Sequence, residues 1–244
     1  MGRFVGVLPP VTTPFEPGGG PALERLKANL TAWHASGLSG YLLLGSNAEA
    51  VSLTEEEKLR VLETARAHIP RDRLFLAGTG AEGTAATIAL TKAAARLGAD
   101  AALVVTPGYY KAQMRARELT AHYTAVADAS PIPVMVYNVP QFTGVTVEPE
   151  VVAKLAEHGN IVGMKDSAGN VTTLTEYLRV TPEGFAVFVG SATVFYAGLA
   201  LGACGGILAL ANAAPRACVD LYDLARAGKG EEAAALQRRL LPAV

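Results

Sequence analysis

Lys165 ends a short apolar run, residues 160–165, which has the composition of a buried strand. Side chains alternate between the two faces of a strand, so Lys165 shares a face with Ile161 and Gly163 while Met164 faces the other way. If Met164 packs on helices, Lys165 points to the opposite, inner side, where partial loss of water lowers the pKa of its amine. A neutral lysine can attack a carbonyl and form a Schiff base. The alternative is a strand-end lysine whose ammonium reaches water, and this run alone favours neither.

Tyr137 ends the preceding apolar run, residues 133–137, and would lie beside Lys165 if the two runs are neighbouring strands. Imine formation from a ketone moves a proton off the attacking amine and onto the departing hydroxyl, and carbon–carbon cleavage removes another proton from an alcohol. A phenol could carry out these transfers. Taken alone, Tyr137 is more typical of a rim tyrosine with a buried ring and a wet hydroxyl. Its place next to Lys165 favours a catalytic role.

Further segments that follow other apolar runs could also meet a ligand. In residues 45–49, Gly-Ser-Asn-Ala-Glu, small polar groups and backbone amides could hold a carboxylate near a helix start. Tyr109 and Tyr110 supply phenols after the fourth run. Gly190 and residues 205–207 would leave room for a ligand, although glycines there serve close packing of strands equally well.

Eight short β-rich runs alternate with longer amphipathic stretches along the chain, a pattern typical of parallel βα units. The runs are residues 5–11, 40–44, 74–78, 101–105, 133–137, 161–165, 186–190 and 205–209. The stretches between them repeat apolar residues at helical spacing, as in Leu23, Leu26, Leu30 and Trp33. Eight such units in 244 residues predict an α/β fold, the (β/α)8 TIM barrel, which typically takes about 250 residues. Active sites of these barrels lie at the C-terminal ends of the strands, where the residues above are found.

Local signals agree with this count of elements. Thr54 followed by Glu57 forms a capping box that would open the second helix. The segment Gly78-Thr-Gly80-Ala-Glu-Gly83 matches GxGxxG and could indicate a doubly wound sheet that binds a dinucleotide. In that fold an acidic residue follows the next strand, whereas Asp100 precedes it. We therefore interpret the glycines as a tight turn and retain the barrel.

Composition argues against several classes of function. The net charge is −1 and no basic run could follow a phosphate backbone, so we expect no nucleic-acid partner. Apolar stretches are interrupted before the ~20 residues that a membrane span needs. Two cysteines, and four histidines without metal-ligand spacing, predict neither a disulfide framework nor a metal site. The first residues hold too short an apolar segment for a signal peptide, which predicts a cytoplasmic protein.

Several segments, in this order along the chain, resemble the dihydrodipicolinate synthase and N-acetylneuraminate lyase superfamily of pyruvate-dependent class I aldolases. They are Gly45-Ser-Asn-Ala-Glu49, Tyr137-Asn-Val-Pro with Thr143-Gly144, Gly163-Met-Lys165-Asp-Ser167, and Ala211-Asn212. The resemblance spans essentially the whole chain. It implies a lyase on a TIM barrel.

The resemblance also implies roles for single residues. Lys165 matches the Schiff-base lysine and Tyr137 the proton-relay tyrosine. Tyr109 matches a tyrosine that a neighbouring subunit supplies to the relay. Ser46 and Asn47 match the pair that binds the carboxylate of pyruvate. Positions that line the substrate pocket in the family, or lie near it, correspond here to Ser167, Gly190, Ile207 and Thr13.

The implied partners are small molecules, a 2-oxo acid (pyruvate) and an aldehyde. No metal or organic cofactor is implied, because the protonated imine on Lys165 is itself the electron sink. A homo-oligomer, either a dimer or a homotetramer, is implied as well. The domain organisation expected from the resemblance is a catalytic barrel over residues 1–226, followed at 227–244 by the start of a shortened C-terminal helical extension.

The member of the superfamily depends on two positions. Dihydrodipicolinate synthases usually carry two threonines at the carboxylate loop and an arginine after the relay tyrosine, whereas this chain has Ser46-Asn47 and Phe142. These differences argue against the synthase. The Ser46-Asn47 loop and the stretches 77–80, 99–107 and 163–167 look more like 4-hydroxy-2-oxoglutarate aldolase, in which cleavage releases pyruvate and glyoxylate. One alternative is 4-hydroxy-tetrahydrodipicolinate synthase, which condenses pyruvate with aspartate semialdehyde in lysine biosynthesis. A second is a barrel that binds a keto acid without catalysis.

Overall fold

Eight parallel strands form the centre of the computed structural model, which describes residues 3–244. Their bounds are β1 Gly6–Leu8, β2 Gly40–Leu43, β3 Leu74–Gly78, β4 Ala101–Val105, β5 Val134–Asn138, β6 Ile161–Asp166, β7 Ala186–Val189 and β8 Gly205–Ile207. The sheet runs in the order β1-β8-β7-β6-β5-β4-β3-β2. The two end strands meet through a parallel bridge from Pro10 to Leu42, with a 2.8 Å hydrogen bond from Val11 N to Leu42 O. The (β/α)8 prediction is confirmed.

Helices follow the strands around the outside of the barrel. Their bounds are α1 Leu23–Trp33, α2 Glu55–His68, α3 Thr84–Arg96, α4 Ala116–Ala129, α5 Pro140–Thr143, α6 Pro149–Ala156, α7 Val171–Val180, α8 Phe195–Ala200, α9 Pro215–Arg226 and α10 Gly230–Leu240. The capping box is present at the start of α2, where Thr54 N donates to Glu57 Oε2 at 2.8 Å and Glu57 N donates to Thr54 Oγ1 at 3.2 Å. Over residues 3–244, the structure has no helix long and apolar enough to cross a membrane.

Strand alternation divides the apolar side chains into two cores. The inner core fills the barrel and includes Leu8, Leu42, Leu76, Leu103, Met135, Phe188 and Ile207. The outer core lies between strands and helices and includes Leu26, Val61, Val104, Val136, Met164, Tyr177 and Leu221. Met164 therefore packs on the helix side, as predicted, and its neighbour Lys165 is directed inward.

A bulge in β6 shifts the faces of its first residues. Val134 pairs with Ile161 and the next residue, Met135, pairs with Gly163, so Val162 is the extra residue of the bulge. Ile161 lies in the outer core, while Val162 packs against the inner one. The prediction that Ile161 shares a face with Lys165 is thus wrong, because strict alternation holds only after the bulge.

The first two of the GxGxxG glycines, Gly78 and Gly80, serve close packing of strand and loop. A Cβ on Gly78 would overlap the carbonyl oxygen of Leu44, and one on Gly80 would lie 2.6 Å from the backbone nitrogen of Val105. Both contacts exclude a larger residue at these positions. These contacts explain two of the three glycines by packing, while the interpretation of the segment as a tight turn stays a prediction.

The last helix packs beside α8 and α9. Ala233 is fully buried, and Gln237 bridges two backbone groups: its Oε1 accepts from Tyr196 N at 3.0 Å and its Nε2 donates to Ala192 O at 3.0 Å. Helix α9 ends at Arg226, and the segment after it is held on the barrel by these contacts. The division at residue 226 stays a prediction.

Candidate active site

Lys165 and Tyr137 meet at the C-terminal ends of β6 and β5. The two residues are direct partners in the parallel register, so both side chains enter the barrel from adjacent strands. Lys165 is 2% exposed and Tyr137 is 4% exposed. The lysine Nζ lies 4.2 Å from the centroid of the phenol ring. The structure therefore brings together the predicted nucleophile and the predicted proton relay.

The surroundings shift the pKa values of both groups. Burial lowers the pKa of the Lys165 amine, and the nearby Tyr137 only partly opposes this shift. Burial alone would raise the pKa of Tyr137, but the positive charge of Lys165 and hydrogen bonds to the phenol outweigh it and lower the pKa. The two values move in the direction that favours a neutral amine and an easily shared proton. Those are the conditions for attack on a carbonyl.

Two serines hold the hydroxyl of Tyr137. Ser46 Oγ lies 3.3 Å from Tyr137 Oη, and Ser167 also bonds to the phenol and helps to lower its pKa. Ser167 follows Lys165 by two residues and is 9% exposed. A chain of hydroxyl groups thus connects the loop after β2, the relay tyrosine and the end of β6.

The loop that carries Ser46 has an unusual backbone. Residues Ser46–Ala48 form a single 3-10 turn, and the residues on either side of this loop, Leu44 and Glu49, have φ values of 57° and 54°. Non-glycine residues rarely adopt this left-handed conformation, and it concentrates at ligand sites. Nothing in the sequence indicated the strain, since leucine and glutamate are not typical of such positions.

Gly190 leaves the space that the site needs. A Cβ at this position would collide with Ser167 Oγ and would lie 3.0 Å from Lys165 Cε. Its backbone nitrogen donates to Asp166 O at 2.6 Å, which ties β7 to β6. Packing against Ser167 and Lys165 therefore requires a glycine at position 190, whether or not Gly190 also contacts a ligand.

Four other predicted site residues differ in how far they are buried. Ile207 is fully buried in the inner core, and Thr13 is buried in the segment after β1. Asn47 is exposed and does not line the cavity described below. Tyr109 is 77% exposed, with its backbone nitrogen 2.8 Å from Glu82 Oε2. The binding and relay roles of these four residues stay predictions.

A cavity of about 640 Å³ opens above Tyr137. It is lined by the segments that follow β2, β3, β4 and β5, including the start of α2 and the short helix α5. The lining residues include Ser46, Glu49, Lys58, Thr106, Val139, Phe142 and Thr143. Thr106 was missed by the sequence reasoning, although it directly follows β4. Its buried Oγ1 has no hydrogen-bond partner among residues 3–244, which makes it a group that a ligand could satisfy. The cavity is of the size that suits a small molecule.

No group of three or more His, Cys, Asp and Glu side chains within residues 3–244 could hold a metal ion. The chemistry that the described groups offer is nucleophilic attack by an amine with proton transfer by a phenol.

Comparisons with known proteins match nearly the whole chain. A profile of the dihydrodipicolinate synthetase family matches residues 3–244. The chain is 39% identical over 241 residues to 4-hydroxy-tetrahydrodipicolinate synthase of Exiguobacterium sp. strain AT1b, covering 99% of this chain and 82% of the relative. It is 38% identical over 244 residues to the enzyme of that name from Methanothrix thermoacetophila, covering 99% and 81%.

Solved structures are similar over the same extent. Dihydrodipicolinate synthase from Aquifex aeolicus has a TM-score of 0.94 and 32% identity, with 98% of this chain and 80% of that chain covered. YagE, an E. coli K12 prophage protein of the dihydrodipicolinic acid synthase family solved in complex with pyruvate, has a TM-score of 0.93 and 32% identity at 98% and 80% coverage. These relatives do not support the predicted closeness to 4-hydroxy-2-oxoglutarate aldolase.

Proposed function

The chain belongs to the dihydrodipicolinate synthetase family of pyruvate-dependent class I aldolases, and we propose that it condenses pyruvate, held as an imine on Lys165, with aspartate semialdehyde. The observation that carries the chemistry is the buried Lys165 amine at 4.2 Å from the ring of Tyr137. The choice of aldehyde is supported by the names of the relatives, which are 4-hydroxy-tetrahydrodipicolinate synthases.

The first half of the reaction forms the imine. Lys165 attacks the C2 carbonyl of pyruvate as a neutral amine, a carbinolamine forms, and water leaves as the nitrogen lone pair makes the C=N bond. Tyr137 takes the proton from the attacking nitrogen and returns one to the departing hydroxyl. The hydroxyls of Ser46 and Ser167 keep the phenol in place and exchange protons with it.

The second half forms a carbon–carbon bond. The Tyr137 phenolate that remains after protonation of the departing hydroxyl takes a proton from the methyl carbon, which turns the protonated imine into an enamine. The enamine electrons then attack the aldehyde carbon of the second substrate. Tyr137 protonates the resulting alkoxide. Hydrolysis or internal attack by the amino group of the new chain then releases Lys165 as the free amine. The protein supplies the amine, the acid–base group and a dry site in which both have shifted pKa values.

A second candidate is cleavage of 4-hydroxy-2-oxoglutarate to pyruvate and glyoxylate. Phe142 favours it, because this residue is 73% exposed beside the cavity at the position where synthases usually carry an arginine. The Ser46-Asn47 pair in place of two threonines points the same way. In this reaction the imine forms on the longer keto acid, Tyr137 takes the proton of the 4-hydroxyl, and the C3–C4 electrons move into the iminium.

A parallel assay separates the two candidates. Condensation of pyruvate with aspartate semialdehyde and cleavage of 4-hydroxy-2-oxoglutarate are measured on one preparation, with borohydride trapping of pyruvate on Lys165 as a common control. We expect kcat/KM for the condensation to exceed that for the cleavage by at least about tenfold, a difference of about 1.4 kcal/mol in transition-state stabilisation. The reverse order would assign the cleavage. An adduct without turnover of either substrate would indicate a keto-acid-binding barrel.

We further propose that the enzyme works as an assembly of identical chains. Tyr109 and Tyr110 are 77% and 67% exposed and contact each other edge to face, with 4.9 Å between ring centroids. Exposed aromatic residues next to a cavity are typical of a surface that a partner covers. Light scattering of the purified protein, repeated on Tyr109→Ala, measures whether a dimer or tetramer forms and whether this tyrosine contributes to it.

A further inference from the structure

Tyr137 and Lys165 are each followed by a polar residue whose side chain faces the other way. Asn138 follows Tyr137 and Asp166 follows Lys165, and these followers are also direct partners in the β5–β6 register. Because side chains alternate along a strand, Tyr137 and Lys165 enter the barrel while Asn138 and Asp166 turn toward the helices. The inner pair and the outer pair therefore occupy opposite sides of the same barrel wall.

The outer pair is joined by short hydrogen bonds. Asn138 Nδ2 donates to Asp166 Oδ1 at 2.7 Å and lies 3.4 Å from the hydroxyl oxygen of Tyr177, which belongs to α7. The amide oxygen of Asn138 accepts from Val147 N at 3.0 Å, and the Tyr177 hydroxyl donates to Val147 O at 2.6 Å. We call the three side chains Asn138, Asp166 and Tyr177 the outer clamp.

Backbone contacts extend the outer clamp to neighbouring segments. Asp166 Oδ1 also accepts from Ala168 N at 3.3 Å, which holds the turn that contains Ser167. The backbone oxygen of Asn138 accepts from Ser167 N at 2.9 Å. The clamp thus joins the ends of β5 and β6, the loop before α6 and the first residues after Lys165.

The outer clamp is buried and lacks a counter-ion. Asn138 and Tyr177 are fully buried and Asp166 is 3% exposed, and no ion pair of Asp166 occurs within residues 3–244. Burial raises the pKa of the Asp166 carboxyl, which the amide of Asn138 and the nitrogen of Ala168 only partly offset. A buried network of this kind is costly when broken and enforces one geometry when complete.

We infer that the outer clamp positions the catalytic pair: Asn138 and Asp166 fix the ends of β5 and β6 so that Lys165 Nζ stays against the ring of Tyr137. The inference rests on the proposed roles of Lys165 and Tyr137. A lysine side chain has four rotatable bonds, so the position of its amine depends on an immobile strand end. The three clamp residues lie on the helix side of the barrel wall, so each acts through the residue or segment beside it.

The rate of imine formation tests this inference without the second substrate. Pyruvate is mixed with excess enzyme, the imine is reduced with borohydride at intervals, and the adduct on Lys165 is measured by mass spectrometry. Misplacement by about 1 Å can cost about a hundredfold, so we expect Asp166→Ala and Asn138→Ala to slow adduct formation about 10-fold to 100-fold. Asp166→Asn should stay within about threefold of wild type, because the amide oxygen still accepts both hydrogen bonds.

The pH dependence of the same rate separates positioning from loss of stability. A lysine released from its buried position regains water, so its pKa rises and the rise in rate moves to higher pH in Asp166→Ala. General destabilisation lowers the amount of folded enzyme without moving this limb. If Asp166→Ala does not fold, Tyr177→Phe removes one clamp hydroxyl while keeping the ring, and we expect a smaller slowing in the same direction.

Thr91→Val is the matched control. It removes another fully buried hydroxyl, which lies 2.8 Å from Thr79 Oγ1 behind β3, a strand that carries no proposed catalytic residue. We expect its rate to match wild type. Unchanged rates in folded Asp166→Ala and Asn138→Ala, or equal loss in Asp166→Asn and Asp166→Ala, would overturn the inference. Absence of an adduct in wild type would instead overturn the proposed function.

Discussion

The buried end of the site, formed by Tyr137, Lys165 and Ser167, differs from its rim, formed by Val51, Tyr109 and Phe142, in contact with water. The three residues of the buried end are at most 9% exposed, whereas those of the rim are at least 73% exposed. Strand register aligns Tyr137 with Lys165 at the buried end, while the three rim residues lie outside the strands. The amine and the phenol of the proposed imine chemistry are therefore both held by one chain. The proposed choice of aldehyde and the proposed assembly of copies involve side chains that one chain leaves exposed.

Replacement of Lys165 by alanine tests the buried end most directly. We expect turnover to fall by at least about a thousandfold, because without the lysine amine no imine can form and the covalent pathway is lost. We also expect no pyruvate adduct after borohydride reduction. Lys154→Ala is the control, because this lysine is 64% exposed on α6 and pairs only with Glu157 in the described ion pairs. An undiminished adduct on the Lys165→Ala protein would show that another amine is the nucleophile.

Tyr137→Phe should have the next largest effect. It removes the phenolic hydroxyl and keeps the ring against Lys165, so we expect kcat to fall by about 10²-fold to 10⁴-fold, the usual contribution of general acid–base catalysis. Single-turnover trapping should slow as well, because imine formation also needs a proton transfer. Tyr222→Phe, a partly buried tyrosine of the outer core, should keep wild-type rates. A fall in kcat below about threefold would contradict the relay role.

Gly190→Ala tests the space beside the lysine. The added methyl group would collide with Ser167 Oγ and press on Lys165 Cε, so we expect kcat/KM to fall by about 10-fold to 100-fold. Gly83→Ala is the control, since a Cβ there meets no atom within 4 Å. Thermal unfolding of both variants separates local displacement from loss of the fold. Wild-type kinetics in a folded Gly190→Ala protein would show that Ser167 and Lys165 can move to accommodate the methyl group without loss of activity.

Phe142→Arg should have the smallest effect, and it addresses the rim. A guanidinium at this exposed position can pair with the carboxylate of aspartate semialdehyde, and a gain of about 1.4 kcal/mol would raise kcat/KM for that substrate about tenfold. KM for pyruvate should not change, because its proposed binding site lies at the buried end. Phe142→Gln controls for loss of the ring. Equal gains in both variants would mean that removal of the aromatic group, not the charge, matters.

The buried end was largely predictable from sequence, and the rim was not. Lys165 could be directed inward because Met164 reads as a helix-facing residue and strands alternate. The bulge at Val162 could not be foreseen, since valine and isoleucine are equally typical of regular strands. The left-handed backbone of Leu44 has no signal in its residue type. The Asn138–Asp166 bond becomes visible only once the register of β5 and β6 is known.

The rim residues could not be assigned a role from the sequence for a different reason. Sequence placed Tyr109 after the fourth strand correctly, but its predicted relay role requires atoms outside a single chain. Phe142 was identified only because it stands where related synthases usually carry an arginine. No hydrophobic periodicity or motif in the sequence marks this position. Side chains whose partners lie on another molecule leave no periodicity in the sequence, so no pattern in the chain identifies the aldehyde.

The bulge in β6 has a consequence for how this strand tolerates insertions and deletions during evolution. Pairing with β5 is already irregular at Val162, so a gain or loss of one residue there can be absorbed by opening or closing the bulge. Between Gly163 and Lys165 the pairing is regular, and a one-residue change would turn the amine toward the helices and Asp166 into the barrel. Length variation among descendants of this chain should therefore occur up to Val162 and stop there.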